Sequence, residues 1–443
     1  MLSTIFSRNP DLREAVRGTA FLSAFAFIAF WLAWFSMVQW RSPIPWDGSG
    51  MTIGKDFFNF WMYGREAFSV DPGRFYDLET YQAAVKQMLG PDSEYQPNWS
   101  YPPSIMLLAP PFGALPYVPA LVIFTLAGIA AYFAVLLRRF SAFSSEVDTG
   151  SREENALFQE TKRVFPIQGI GKRYSDWRLA GLVAISPAAI ICLNSGQFAY
   201  AITALLVAIF WQLDRRPILA GVLIGALSLK PQLGLFLPVM LIASGRWQTF
   251  AVAALTTLAL AGLTTVLYGA QPWLDYLHNG IPTQNLVLRD PLMLGASVMP
   301  TVFMNLRQLG LSYETAMALQ ACAAVVAAGA IFWAFRFRRD ADPDLLFAFY
   351  FACCVFGLPY LLSYDTMPLT LGAAVLLLRG KLDAWGMRWA LLVWWLPFLQ
   401  MGMGILKIPG PGLVAAPLFA WWLFQRLRDT APQGAASGIL RPA

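Results

Sequence analysis

Long apolar runs separated by short polar breaks fill most of this chain, and their length predicts helices rather than strands. The runs lie at 18–40, 117–137, 179–193, 198–213, 218–229, 232–244, 248–268, 313–335, 345–362, 367–378, 389–404 and 413–424. A helix needs about 20 residues to cross a hydrocarbon core of roughly 30 Å. The longer runs meet that length. The shorter ones predict kinks and partial insertion, as where Pro231 divides 218–229 from 232–244. The expected fold class is all-α: a polytopic membrane protein of about 10–12 transmembrane helices.

Basic residues then suggest an orientation. Arg8, Arg13 and Arg17 precede the first run, and Arg138, Arg139, Arg152, Lys162, Arg163, Lys172, Arg173 and Arg178 follow the second. Arg215, Arg216, Arg246, Arg336, Arg338, Arg339, Arg379, Lys381, Arg388, Arg426 and Arg428 mark later breaks. If the Pro-broken pair counts as two passes, all these clusters fall on one side, which the positive-inside rule makes cytoplasmic together with both termini. The outer side receives two large loops, 41–116 and 269–312, rich in aromatics and Pro, whose short apolar stretches suit interfacial helices. The polar stretch 138–178 reads as a flexible cytoplasmic insert and 430–443 as a flexible cytoplasmic tail. That leaves 1–429 as a single integral membrane domain.

Composition narrows the class further. The chain is 57% hydrophobic and 13% charged, whereas soluble domains carry about 25% charge. Its net charge of +6 is accounted for by inner loops facing anionic lipid, so membrane lipid is an expected partner and nucleic acid is not. Cys192, Cys322, Cys353 and Cys354 all fall within apolar runs and form neither a disulfide framework nor a metal-ligand spacing. His278, the single histidine, excludes a multi-histidine metal site. The first run is longer than a signal-peptide core and no small-residue cleavage motif follows it, so it is expected to remain as an anchor. Gly169-Ile170-Gly171-Lys172 lacks the spacing and hydroxyl of a phosphate-binding loop.

Against that apolar background a few polar groups need a reason, because charge in or beside a membrane is costly. Asp56 opens an aromatic-rich stretch shortly after the first run. It suits a general base acting at the membrane surface and equally suits a helix N-cap. Asn194-Ser195-Gly196-Gln197 is a tight link in which Asn and Gly serve the turn while Gln197 has no local use. Lys230, ahead of Pro231, sits at a broken helix that could hold a phosphate, or it is a snorkelling lysine. Asp365, in Ser363-Tyr364-Asp365, could cap a helix, line a site or pair with Lys230. The second large loop adds His278, Arg289, Asp290 and Arg307.

These pieces, in this order, resemble glycosyltransferase family 87, the polyprenol-phosphate-mannose-dependent enzymes of the membrane-embedded C-type fold. The matching elements are Asp56-Phe57-Phe58, Phe75-Tyr76-Asp77, Tyr101-Pro102-Pro103, Asn194-Ser195-Gly196-Gln197, Leu229-Lys230-Pro231 with Gly245-Arg246-Trp247, and Ser363-Tyr364-Asp365. The resemblance implies an inverting transfer of a sugar, typically mannose, from a polyprenyl-phosphate-linked donor to a glycolipid or polysaccharide acceptor. It places that reaction on the outward face of the plasma (inner) membrane. It also implies Asp56 as the catalytic base, because only Asp56 matches the family's first-loop aspartate in position and context.

The chemistry asks for few groups. A lipid phosphate leaves readily, so a base, an orienting shell and cations for the phosphate suffice. Lys230 is expected on the donor phosphate with Arg289 and Arg307 as helpers, and Asn59, Tyr101, Asn194, Gln197, His278, Tyr364 and Asp365 are expected to line the substrate. No cofactor is called for; a divalent metal is compatible with this chemistry, but nothing indicates one. The alternative from another class is a secondary transporter or flippase of a polar or lipid-linked substrate, which would also have broken helices and sparse intramembrane charge. The large aromatic loops and the lack of an internal repeat weigh against it.

Overall fold

The computed structural model describes residues 10–41, 43–90, 93, 95, 97–99, 101–148, 179–290 and 298–429. The 149–178 part of the expected insert, with Arg152, Lys162, Arg163, Lys172, Arg173 and Arg178, lies outside the described residues. So do Arg8, the stretch 291–297 and the tail 430–443. Among the described residues the regular structure is helical, with only isolated bridges at Gln39–Trp46 and Trp46–Thr52. In chain order the helices used below are α1 (Pro10–Met37), α2 (Asp56–Glu66), α3 (Leu78–Leu89), α4 (Tyr117–Asp148), α5 (Pro187–Ser195), α6 (Ala199–Gln212), α7 (Pro217–Ala226) and α8 (Leu237–Ala243). They continue with α9 (Trp247–Tyr268), α10 (Ile281–Arg289), α11 (Val302–Gln308), α12 (Tyr313–Phe337), α13 (Pro343–Gly357), α14 (Met367–Leu378), α15 (Ala384–Ile405) and α16 (Ala415–Asp429).

Helices within Glu14–Met37, Tyr117–Arg138, Trp247–Tyr268 and Tyr313–Phe337 are long and apolar enough to span a membrane, and shorter apolar helices pack among them. The protein is an all-α polytopic membrane protein. α1 and α9 turn large apolar side chains outward: Leu32 is 68% exposed and Val266 82%, a cost in water and none in lipid. α13 is the opposite case. Every residue from Asp344 to Gly357 is buried, as expected of a helix apolar all round. α14 is buried from Met367 to Leu377, so α13 and α14 form the centre of the bundle.

α7 and α9 approach closely through small residues. A side chain at Gly221 would meet Val252 and Thr249, and one at Gly225 would meet Thr256. The paired numbers rise together, so these helices run parallel, with α8 between them in chain order. Glycine four residues apart on a helix face permits such close packing. Pro231 divides α7 from α8, and the freed backbone finds partners: Tyr350 of α13 donates its hydroxyl to Leu233 O at 3.1 Å.

The 41–116 loop has an aromatic core of its own, built on Phe57, Phe58, Phe60, Tyr63, Phe75, Tyr81 and Trp99. The sequence suggested interfacial helices here. α2 is buried from Phe57 to Gly64, its aromatics packing against Tyr117 and Phe124 of α4, Phe112 of the 101–113 segment, and Tyr76 and Trp99. α3 buries only Tyr81 and Val85 and keeps the one-sided character expected of a surface helix. Close contact between α2 and the 109–113 turn depends on Gly64 and Gly113, since a Cβ on Gly64 would lie 2.2 Å from Ala109 O.

Opposite ends of α14 carry opposite kinds of polar group. Asp365 precedes its first turn. At the other end Lys381 bonds Asp344 at 2.9 Å, Arg379 also bonds Asp344, and Lys381 also bonds Asp342. The twelve residues of α14 separate these groups by about 18 Å.

Candidate active site

The breaks in the helical scaffold converge on one cavity of about 230 Å³. It is walled by the start of α2, the α5–α6 turn, the α7–α8 break, the 358–365 link and the loop around Tyr101.

Asp56 is the first residue of α2, and Lys55 before it has φ +26°. Such a backbone angle costs a non-glycine residue on the order of 1–3 kcal/mol. Surrounding contacts hold it there: Lys55 pairs with Asp47 at 3.2 Å, and Tyr95 donates to Lys55 O at 2.8 Å. The N-cap position belongs to Lys55, and no side chain caps this end of α2. Asp56 reaches across the cavity instead. Its Oδ2 accepts from Gln197 Nε2 at 2.8 Å and from Tyr364 Oη at 3.2 Å. No described residue donates to Oδ1. Burial raises the carboxyl above its ordinary 3.8, against the lowering pull of the Gln197 hydrogen bond and the Lys230 charge.

Gln197 owes its position to Gly196. That glycine ends α5 in the left-handed conformation at φ +61°, and a Cβ on it would lie 2.6 Å from both Gly54 O and Phe57 Cβ. The bare backbone therefore lets the α5–α6 turn rest against the start of α2. From there the Gln197 amide bridges opposite charges, with Nε2 on Asp56 and Oε1 accepting from Lys230 Nζ at 2.9 Å. Its Nε2 also donates to Tyr101 Oη at 3.1 Å. Burial and the nearby Asp56 charge push the Tyr101 hydroxyl up, which keeps it neutral.

Lys230 is 6% exposed and pairs with Asp365 at 3.1 Å, itself 4% exposed. Its ammonium lies 4.9 Å from the centre of the Tyr364 ring. An ammonium has three donors; Gln197 and Asp365 take two, which leaves one for a ligand. Asp365 is held in turn by Leu362 N, which donates to Oδ2 at 3.2 Å. Ser363 fixes the same link by donating to Val298 O at 2.5 Å.

The model of glycosyltransferase family 87 matches residues 99–364, more than half of the chain. The chain belongs to glycosyltransferase family 87. No curated protein and no solved structure matches it. The family match contains Tyr101, Gln197, Lys230 and Tyr364. Asp56 and Asp365 lie outside the matched stretch and are brought to these residues by the fold.

In this family 87 glycosyltransferase Asn59 also lines the cavity, one turn along α2 from Asp56. Its Nδ2 donates to Asn98 O at 3.2 Å and its Oδ1 accepts from Tyr81 Oη at 2.5 Å. The other candidates stand apart. Asn194 belongs to the last turn of α5 and does not line the cavity. His278 is exposed within the π-helical turn Tyr276–Gly280, whose Tyr276 does line it. Arg289 and Arg307 are also absent from its walls. The Arg289 guanidinium lies 5.1 Å from the Tyr313 ring centre, while Arg307 donates to Leu311 O at 2.6 Å and Arg289 O at 2.8 Å. Arg307 thus joins α11 to the end of α10, and the Arg289 guanidinium packs on the first residue of α12.

Asn98, Gln232, Tyr276, Gln284 and Tyr360 also line the cavity; none was a candidate on sequence grounds. Gln232 carried a usable signal, being an amide two residues beyond Lys230 in a broken helix. Among the described residues no group of three or more His, Cys, Asp or Glu gathers to hold a metal.

Proposed function

We propose that this glycosyltransferase moves a neutral hexose, mannose by preference, from a polyprenyl-phosphate donor to a hydroxyl of a glycolipid or polysaccharide, with inversion at the anomeric carbon. The observation that carries this is one cavity in which the Gln197 amide bridges the half-buried carboxylate of Asp56 and the buried ammonium of Lys230. The acceptor hydroxyl gives its proton to Asp56 Oδ1, and its oxygen forms a bond to the anomeric carbon. The bond from that carbon to the phosphate oxygen breaks, and its electron pair leaves with the polyprenyl phosphate. The third N–H of Lys230 meets the charge that gathers on the phosphate. Gln197 and Tyr364 occupy Oδ2 and so aim the free Oδ1 at the acceptor. The enzyme sits in the plasma (inner) membrane on this reading, and the basic clusters favour cytoplasmic termini with the cavity facing outward.

The test offers purified enzyme in lipid two labelled donors, polyprenyl-phosphate mannose and the corresponding nucleotide sugar, over a native lipid extract. The expected result is label in a lipid or polymer product from the first donor only. Transfer from the nucleotide sugar alone would overturn the donor assignment.

A further inference from the structure

Two consecutive residues ahead of Asp56 have left-handed backbone angles, Gly54 at φ +69° and Lys55 at φ +26°. Glycine takes such an angle freely. A side-chain-bearing residue does not, and its strain persists only where the surroundings over-determine it. A second glycine would have turned the chain here without strain. A lysine brings what glycine lacks, a side chain that can be tethered.

Lys55 is tethered at both ends. Its ammonium pairs with Asp47 Oδ2 at 3.2 Å. Asp47 is buried, and its Oδ1 accepts from Ser49 N at 2.8 Å, Ser49 Oγ at 2.7 Å and Met51 N at 3.3 Å. The carboxylate is therefore a fixed post for the end of the lysine side chain. The Lys55 carbonyl accepts from Tyr95 Oη at 2.8 Å and from Phe58 N at 3.0 Å. The Phe58 bond moves with α2 itself, so the Tyr95 bond is what ties this carbonyl to the loop beyond α2. Tyr95 is buried in turn, its ring edge-on to that of Phe58 at 5.9 Å.

The carbonyl that Tyr95 holds belongs to the peptide plane joining Lys55 to Asp56, and that plane sets where the Asp56 side chain begins. If Lys55 relaxed to an ordinary angle, the plane would turn. Asp56 Oδ2 would then leave Gln197 and Tyr364, which it meets at 2.8 and 3.2 Å. A misplacement of about 1 Å at a reacting group can cost on the order of 100-fold in rate. We propose that Asp47 and Tyr95 are positioning residues for Asp56 and act on it through the strained backbone of Lys55. None of the three lines the cavity, so they reach the reaction through Asp56. The inference rests on Asp56 as the base, as proposed above, and adds the support that aims it.

The experiment is a double-mutant cycle on the full-length enzyme in lipid, with labelled polyprenyl-phosphate mannose as donor. Tyr95→Phe removes one hydroxyl and keeps the ring, and Lys55 O retains Phe58 N, so the fold is expected to stand. Asp47→Asn removes the charge that faces Lys55. Each substitution is made in wild type and in Asp56→Asn. In wild type each should lower kcat about tenfold, the worth of one hydrogen bond, with donor Kd held within about twofold. In Asp56→Asn each should leave the residual transfer unchanged within about twofold, because the group they position is gone. Thermal midpoints establish folding, and Tyr95→Phe decides the matter if Asp47→Asn unfolds. Equal losses in both backgrounds would make these structural residues, and full kcat in the wild-type background would show that Asp56 is aimed without them; either result overturns the inference. A wild type that transfers nothing, or an Asp56→Asn that matches it, would overturn the reading beneath the inference, and the inference with it.

Discussion

Gln197 donates its side-chain amide to Asp56 Oδ2 at 2.8 Å, joining residues 141 apart in sequence. The same amide takes a hydrogen bond from Lys230, so one neutral group separates the carboxylate from the cation and orients both. Gln197→Leu should therefore lower kcat by roughly 10- to 100-fold, the value of one or two charge-assisted hydrogen bonds. It should also move the acid limb of the pH profile upward, because the lost bond favours the ionised carboxylate. A lower kcat with an unmoved limb would reduce Gln197 to a packing residue.

Burial raises the Asp56 carboxyl above 3.8, and two consequences follow in opposite senses. A base must be ionised, so transfer should rise with pH through a limb above the ordinary carboxylate range. The folded state holds this proton more tightly than the unfolded chain does, so the contribution to stability is present at low pH and is lost as pH rises through the raised value. Asp56→Asn should thus be at least as stable as wild type at neutral pH, with that advantage fading in acid. Thermal midpoints of both proteins across the pH range check the sign.

The Lys230–Asp365 pair is buried on both sides. Removing one partner strands a charge, and Lys230→Met should cost about 3–5 kcal/mol. The double variant Lys230→Met/Asp365→Leu should recover most of that stability and none of the transfer. Thermal unfolding beside a transfer assay separates the two roles of Lys230; recovery of transfer in the double variant would remove it from the chemistry.

Gly196→Ala places a methyl against the carbonyl of Gly54 at a backbone angle that side chains avoid. The expected loss is about 1–3 kcal/mol, together with reduced transfer as Gln197 shifts from Asp56. A fully active, fully stable Gly196→Ala protein would show that the turn has slack.

Much of this was legible in the sequence because helix length and apolar periodicity are local properties. The run at 367–378 coincides with α14, and 117–137 and 248–268 begin within a residue of α4 and α9. Gln197 stood out because no local turn uses its amide, whereas Asp56, Lys230 and Asp365 stood out as charges beside apolar runs, each with a cap or snorkelling role open to it as well. What sequence could not supply was the distance between loops. Arg289 and Arg307 looked like phosphate ligands because they are cations in the second large loop, yet their partners are backbone carbonyls and a tyrosine ring. Asn98 looked ordinary because its place in the cavity wall becomes visible only once its neighbours are in place. The strained Lys55, held by Asp47 and Tyr95, left no sequence signal either.

The most direct measurement compares wild type with Asp56→Asn for transfer of labelled mannose from polyprenyl phosphate, after both proteins are shown to be folded by thermal unfolding. Loss of a positioned base predicts a fall of roughly 10²- to 10⁴-fold in transfer with donor binding retained. Equal transfer by the two proteins would contradict Asp56 as the base and would move the search to Asp365.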